Sequence, residues 1–84
     1  MNKDIIGQEL RVGDVVAFNQ PHLKGIILGI INKFSLKTVG VKFKSWDGVN
    51  IHYVYANQLI KIPEGEASIW YQRNATWINE NVNS

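Results

Sequence analysis

The run Gly25–Phe34 reads GIILGIINKF, and its glycines constrain the fold more than any other feature of the chain. Ile26, Ile27, Leu28, Ile30 and Ile31 leave the segment no polar side. A strand of that kind is buried on both faces or sits at the corner of a barrel. Gly29, in mid-strand, permits a sharp bend without a side-chain clash. Gly25, where a loop re-enters the sheet, is placed to take a positive φ. Both glycines predict a small, strongly curved β-structure.

The rest of the chain agrees. Val12–Phe18 reads as a first strand after the turn Arg11-Val12-Gly13-Asp14. Pro21 lacks a ladder donor and assigns Asn19–Leu23 to a loop. Thr38–Lys44 alternates, with Val39, Val41 and Phe43 on one face and Gly40, Lys42 and Lys44 on the other. Ser45–Asn50 is expected as a hairpin loop around Asp47-Gly48, and Ile51–Ala56 as the fourth strand. Ala56–Leu59 reads as a tight turn or one turn of 3-10 helix before a short fifth strand, Ile60–Ile62, ended by Pro63. Five short antiparallel strands predict a mainly β protein whose sheet closes to protect its edges.

An 84-residue chain buries only about 60–65% of its unfolded surface, so the core has to be efficient. Three Trp, three Tyr and three Phe supply that area. Without cysteine there is no disulfide framework or thiolate metal site, and no cofactor is expected. Asp4 and Glu9 interrupt the opening MNKDIIGQEL, which therefore does not read as a secretion signal. No run approaches the roughly 18–20 apolar residues of a membrane span. The expectation is a soluble, cytoplasmic protein without a membrane partner.

The pattern Gly13-Asp14-Val15-Val16, Lys24-Gly25 and Gly29-Ile30-Ile31 resembles the KOW motif of small SH3-like barrels. Such motifs occur in ribosomal proteins and transcription elongation factors. The resemblance covers about twenty residues, and the ANQLIKI ending extends the likeness of fold to about Asn2–Ile62. It implies a five-stranded SH3-like barrel (KOW- or Tudor-like) over residues 1–62, with residues 63–84 as an extension packed on it. It also implies DNA or RNA binding. Pro21 departs from the glycine usual in that family's loop, and Ile26-Ile27-Leu28 is more apolar than a nucleic-acid-facing strand. The size and style are also similar to small accessory proteins of tailed bacteriophages, which would place the chain in a host cytoplasm.

The net charge is only +2, but it is unevenly spread. Six lysines lie between Lys24 and Lys61 against the single acid Asp47, a local balance of +5. From Pro63 onward Arg73 faces Glu64, Glu66 and Glu80, a balance of −2. Lys33, Lys37, Lys42 and Lys44 are therefore candidates for a phosphate-contacting stripe, with Lys24 at the loop mouth and Trp46 or Phe34 as a stacking platform. The alternative is a solvated face whose lysines discourage edge pairing. No arginine follows Arg11 on the barrel, so base-specific readout is not expected.

A protein-interaction reading uses other residues. If Val54 and Ala56 face the core, Tyr53 and Tyr55 form an aromatic surface near Trp46; otherwise both tyrosines are in the core with their hydroxyls at the rim. In the tail, Trp70, Arg73 and Trp77 share a helical face, with Ser68 as N-cap, whereas Ile69-Trp70-Tyr71 and Thr76-Trp77-Ile78 also suit a hairpin. The helical reading has the slight advantage. Trp70 and Trp77 cover the barrel, or else dock a protein partner or a second copy. Asn79–Ser84 is expected to fray.

Catalysis is not expected. His22 and His52 lack partners, and Asp14, Asp47, Glu64 and Glu66 show no paired-carboxylate logic. Asp14 is expected to bond its own turn.

Overall fold

The computed structural model describes residues 2–19 and 25–79. Five strands form one antiparallel sheet: β1 (Val15–Asn19), β2 (Ile26–Phe34), β3 (Val39–Ser45), β4 (Gly48–Val54) and β5 (Ile60–Lys61). Their spatial order is β4-β3-β2-β1-β5. A one-turn 3-10 helix, Ala56–Gln58, precedes β5, and helix α1 (Glu64–Ile78) follows it. Lys24 and the proline-containing loop lie outside the described residues, as do the last five positions, where fraying was expected.

The sheet curls on itself. Strands β1 and β4 are three places apart in the order, which in a flat sheet is about 14 Å. Yet Phe18 on β1 stacks on His52 of β4, with ring centroids 6.3 Å apart. Inside the curl, Val16, Phe18, Ile31, Val39, Val41, Phe43, Val54 and Leu59 form the main core. Phe18 meets Phe43 edge-on at 5.5 Å.

Gly29 permits the curvature by its lack of a side chain. A Cβ there would come within 2.6 Å of a Val41 methyl and 2.8 Å of the Lys42 carbonyl oxygen. Gly25 takes φ +125° at the mouth of β2. Two residues beyond Gly29 the β2–β3 register shifts, between Ile31 and Lys33. That irregularity takes up one residue, so Ile31 and Phe34 both pack on the core while Lys33 turns to the outer face.

The β3–β4 hairpin is tighter than the sequence suggests. Ser45 pairs with Gly48, leaving Trp46-Asp47 as a two-residue turn, and β4 starts at Gly48 rather than Ile51. Gly48 has φ +121°, which removes the need for a six-residue loop. Val54 is buried and Ala56 packs on the core. The placement of both tyrosines in the core is corrected accordingly: Tyr53 and Tyr55 point outward.

The tail is a helix, and it begins earlier than Ser68. Pro63 stands at the N-cap without a side-chain cap, and Glu64 and Glu66 put negative charge in the first turn, where the helix dipole favours it. Ser68 lies inside the helix. The helix lies on the outer face of the sheet, where Trp77 and Ile78 join Ile30 in a second cluster flanked by Val49 and Trp70. Trp70 and Trp77 pack edge-to-face at 5.6 Å, and Asn74 accepts the Trp77 indole N–H at 2.7 Å.

Candidate functional site

The lysine stripe does not exist as one surface. Alternation does put Lys42 and Lys44 on the outer face of β3, but α1 covers the middle of that face. Lys42 is only 7% exposed, and its ammonium donates to the carbonyl of Ile78 at 2.6 Å. A phosphate-contacting role for Lys42 is therefore corrected: its charge serves the C-terminal end of α1, where cations are favoured. Lys44 remains exposed near the hairpin tip, and Lys33 and Lys37 are exposed at the opposite end of the sheet. From Gly40, the partner of Lys33, to Lys44 is about 13 Å of strand.

Trp46 is 89% exposed at the tip of the β3–β4 turn. The turn beneath it is braced by Ser45, whose hydroxyl donates to Asp47, and by Asn50, whose amide donates to the same carboxylate at 3.2 Å. Those two bonds hold the Asp47 carboxyl below its ordinary pKa. Trp46 is not beside the tyrosines. The hairpin runs seven residue pairs from Ser45/Gly48 to Val39/Val54, so Trp46 and Tyr53 sit at opposite ends of it.

The end carrying Tyr53 holds a different arrangement. Lys33 pairs with Gly40, and Gly40 with Tyr53, making one row across β2, β3 and β4. Gly40 is its floor: a Cβ there would stand 3.0 Å from Tyr53 Cε1 and 3.4 Å from Lys33 Cγ. The Lys33 ammonium lies 5.6 Å from the Tyr53 ring centroid, a cation–π contact. Tyr53 is 42% exposed and Tyr55 56%. Tyr55 follows β4 directly, between Val54 and Ala56, which both pack on the core. Lys37 is exposed at this end, in the turn closed by the Ser35 and Thr38 hydroxyls at 2.8 Å. No acidic residue occurs between Gly25 and Trp46 or between Gly48 and Pro63.

Trp77 is 6% exposed, and Trp70 is half-buried against it. Both pack between helix and sheet, which removes Trp77 as a docking anchor for another protein. Between the first half of α1 and strands β1 and β5 lies a cleft of about 660 Å³, walled by Val15, Ala67 and Tyr71 and rimmed by Arg11. Asp14 and Lys61 at its edge pair with each other at 3.4 Å. Asp14 also accepts the Arg11 backbone N–H at 2.8 Å, bonding its own turn as its position suggests.

The feature missed in the sequence is Asp4. Its carboxylate, buried beside β5, accepts backbone N–H bonds from Ile6, Gln8 and Lys61 and a side-chain bond from Gln8. Burial pushes its pKa up, and the bonds from Lys61, Gln8 and Ile6 outweigh that and hold it below the ordinary value. Among the described residues no group of three or more His, Asp or Glu is placed to hold a metal, and no helix is long and apolar enough to cross a membrane.

Residues 2–75 match the model of a family described as a domain of unknown function, DUF7205. The chain belongs to that family. The matched region takes in all five strands and α1 as far as Ala75, and ends before Trp77 and Ile78, which pack over the sheet beside Lys42. No curated protein and no solved structure matches the chain.

Proposed function

We propose that this chain is a non-catalytic module that binds single-stranded nucleic acid with Lys33, Lys37, Tyr53 and Tyr55, on a barrel of the SH3-like kind. The strand order, the curl of the sheet and the 3-10 turn before β5 support that fold, alongside the KOW-like glycine and lysine pattern. The observation that carries the function is the Lys33–Gly40–Tyr53 row, which sets a cation beside an exposed aromatic on a flat floor. Bases stack on such rings, and lysines beside them meet the phosphates. Stacking needs the unpaired faces of bases, hence single strands.

Binding of fluorescent oligonucleotides, followed by anisotropy, tests the proposal. Single-stranded DNA or RNA is retained by the native chain and by Lys44→Glu, and lost by the double variant Lys33→Glu/Lys37→Glu. Tyr53→Ala weakens binding by about 5- to 150-fold, from about 1–3 kcal/mol per stacked base. Equal binding by all variants overturns it.

A second reading rests on Trp46, whose exposed ring on a braced turn suits a protein partner. Trp46→Ala leaves nucleic-acid affinity unchanged under the first reading. Under the second it is the variant that loses function.

A further inference from the structure

The sheet has two edges, and among the described residues the chain closes only one of them. At β5 the N-terminal residues complete the edge: Asp4 accepts the Lys61 N–H at 2.8 Å, and Leu59 accepts the Ile5 N–H at 3.0 Å. At β4 no described residue does the same. It pairs with β3 over seven consecutive residues without a register shift, and among the described residues no backbone group bonds its other side. Edge strands usually carry lysine, proline or a bulge that blocks further pairing. Gly48–Val54, reading GVNIHYV, has no proline and no Lys, Arg, Asp or Glu.

The register tells which groups are open. A two-residue turn makes Ser45 and Gly48 a hydrogen-bonded pair, and alternation extends this to Asn50, His52 and Val54. Val49, Ile51 and Tyr53 therefore direct their N–H and C=O groups away from β3. Unmet strand groups of this kind are completed by another strand.

We propose that β4 pairs antiparallel with β4 of a second copy, on a twofold axis through Ile51. The closed β5 edge excludes head-to-tail pairing of β4 with β5 of a neighbour, which leaves the twofold arrangement and a dimer that ends assembly. The strand is self-complementary in that register. Ile51 meets Ile51 of the other copy, and Val49 meets Tyr53 of the other copy, an aromatic beside a β-branched residue. No like charges oppose one another, because the strand carries none. The pairing also brings the two Lys33–Tyr53 rows to one joined sheet, but it does not depend on nucleic-acid binding.

Sedimentation velocity of the full chain from micromolar to millimolar concentration, together with residue-resolved amide exchange by NMR, tests the dimer. The expected result is a species of twice the 9.6 kDa chain mass, in which the Val49, Ile51 and Tyr53 amides slow together as concentration rises. The Asn50 and His52 amides, already bonded to β3, change little. Ile51→Glu sets two carboxylates across the axis and returns the chain to monomer while Asn50 and His52 stay protected. A single 9.6 kDa species up to millimolar concentration overturns the proposal. So does a dimer whose Val49, Ile51 and Tyr53 amides remain fast, or one that persists in a folded Ile51→Glu variant. Should that variant unfold, the native exchange pattern alone decides.

Discussion

The ammonium of Lys42 donates a 2.6 Å hydrogen bond to the carbonyl of Ile78, joining the centre of the sheet to the end of the helix 36 positions later. Lysine suits this place because its stem lies along apolar surface beside Ile30 while its head meets the orphan carbonyls of a helix terminus. Lys42→Met keeps the stem and deletes the donor. We expect a loss of about 1–3 kcal/mol in urea unfolding, with red-shifted tryptophan emission as Trp77 loosens. Affinity for single-stranded DNA stays unchanged, because Lys42 is not in the proposed site.

Gly29 is expected to be intolerant of substitution. A Cβ meets both a Val41 methyl and the Lys42 carbonyl oxygen, and the latter is backbone that cannot swing aside. Gly29→Ala should cost about 1–3 kcal/mol, read as a lower denaturation midpoint with an unchanged slope.

Gly40→Ala separates function from stability. Its Cβ crowds the ring edge of Tyr53 at 3.0 Å, a side chain that can move, while the stem and the carbonyl oxygen of Lys33 both stand at 3.4 Å, an ordinary contact distance. Stability should change by no more than about 1 kcal/mol, since the loss of glycine flexibility offsets the crowding. Affinity for single-stranded DNA should fall severalfold as the ring leaves its seat.

Asp4 makes stability depend on acid. Its carboxyl titrates below its ordinary value when folded, so the unfolded chain binds the proton more readily and stability rises with pH. The contribution is fully present above the unfolded pKa of about 3.9 and disappears as pH falls through the lower folded value. Asp4→Asn, which cannot accept at both atoms, should lower stability at neutral pH and flatten the acid limb of a pH-dependent melt.

The features legible in the sequence are those set by near neighbours. The alternation of Val39, Val41 and Phe43, the positive φ of Gly25 and the self-bonded turn of Asp14 all follow from local rules. What escaped is long-range. Asp4 meets Lys61 across 57 positions, and a carboxylate in an exposed-looking opening gives no hint of that. Lys42 and Lys44 share a face, as alternation requires, but only the path of α1 decides that one is covered and the other is not. Lys33 reaches the outer face through the irregularity after Ile31, and without it a strict alternation points Lys33 at the core. The candidate site was thus half legible: its lysines and tyrosines were named, but their grouping was set by a register shift and a helix crossing.

The salt dependence of binding to single-stranded DNA reads out the contacts of Lys33 and Lys37 with phosphate. Lys33 and Lys37 together should give a log–log slope of roughly −1.4, from about −0.7 per neutralised phosphate on a single strand. That slope should approach zero in the Lys33→Glu/Lys37→Glu variant and persist in Lys44→Glu and Lys42→Met. No binding at low salt, or a slope indifferent to Lys33 and Lys37, would mean that these lysines do not bind nucleic acid.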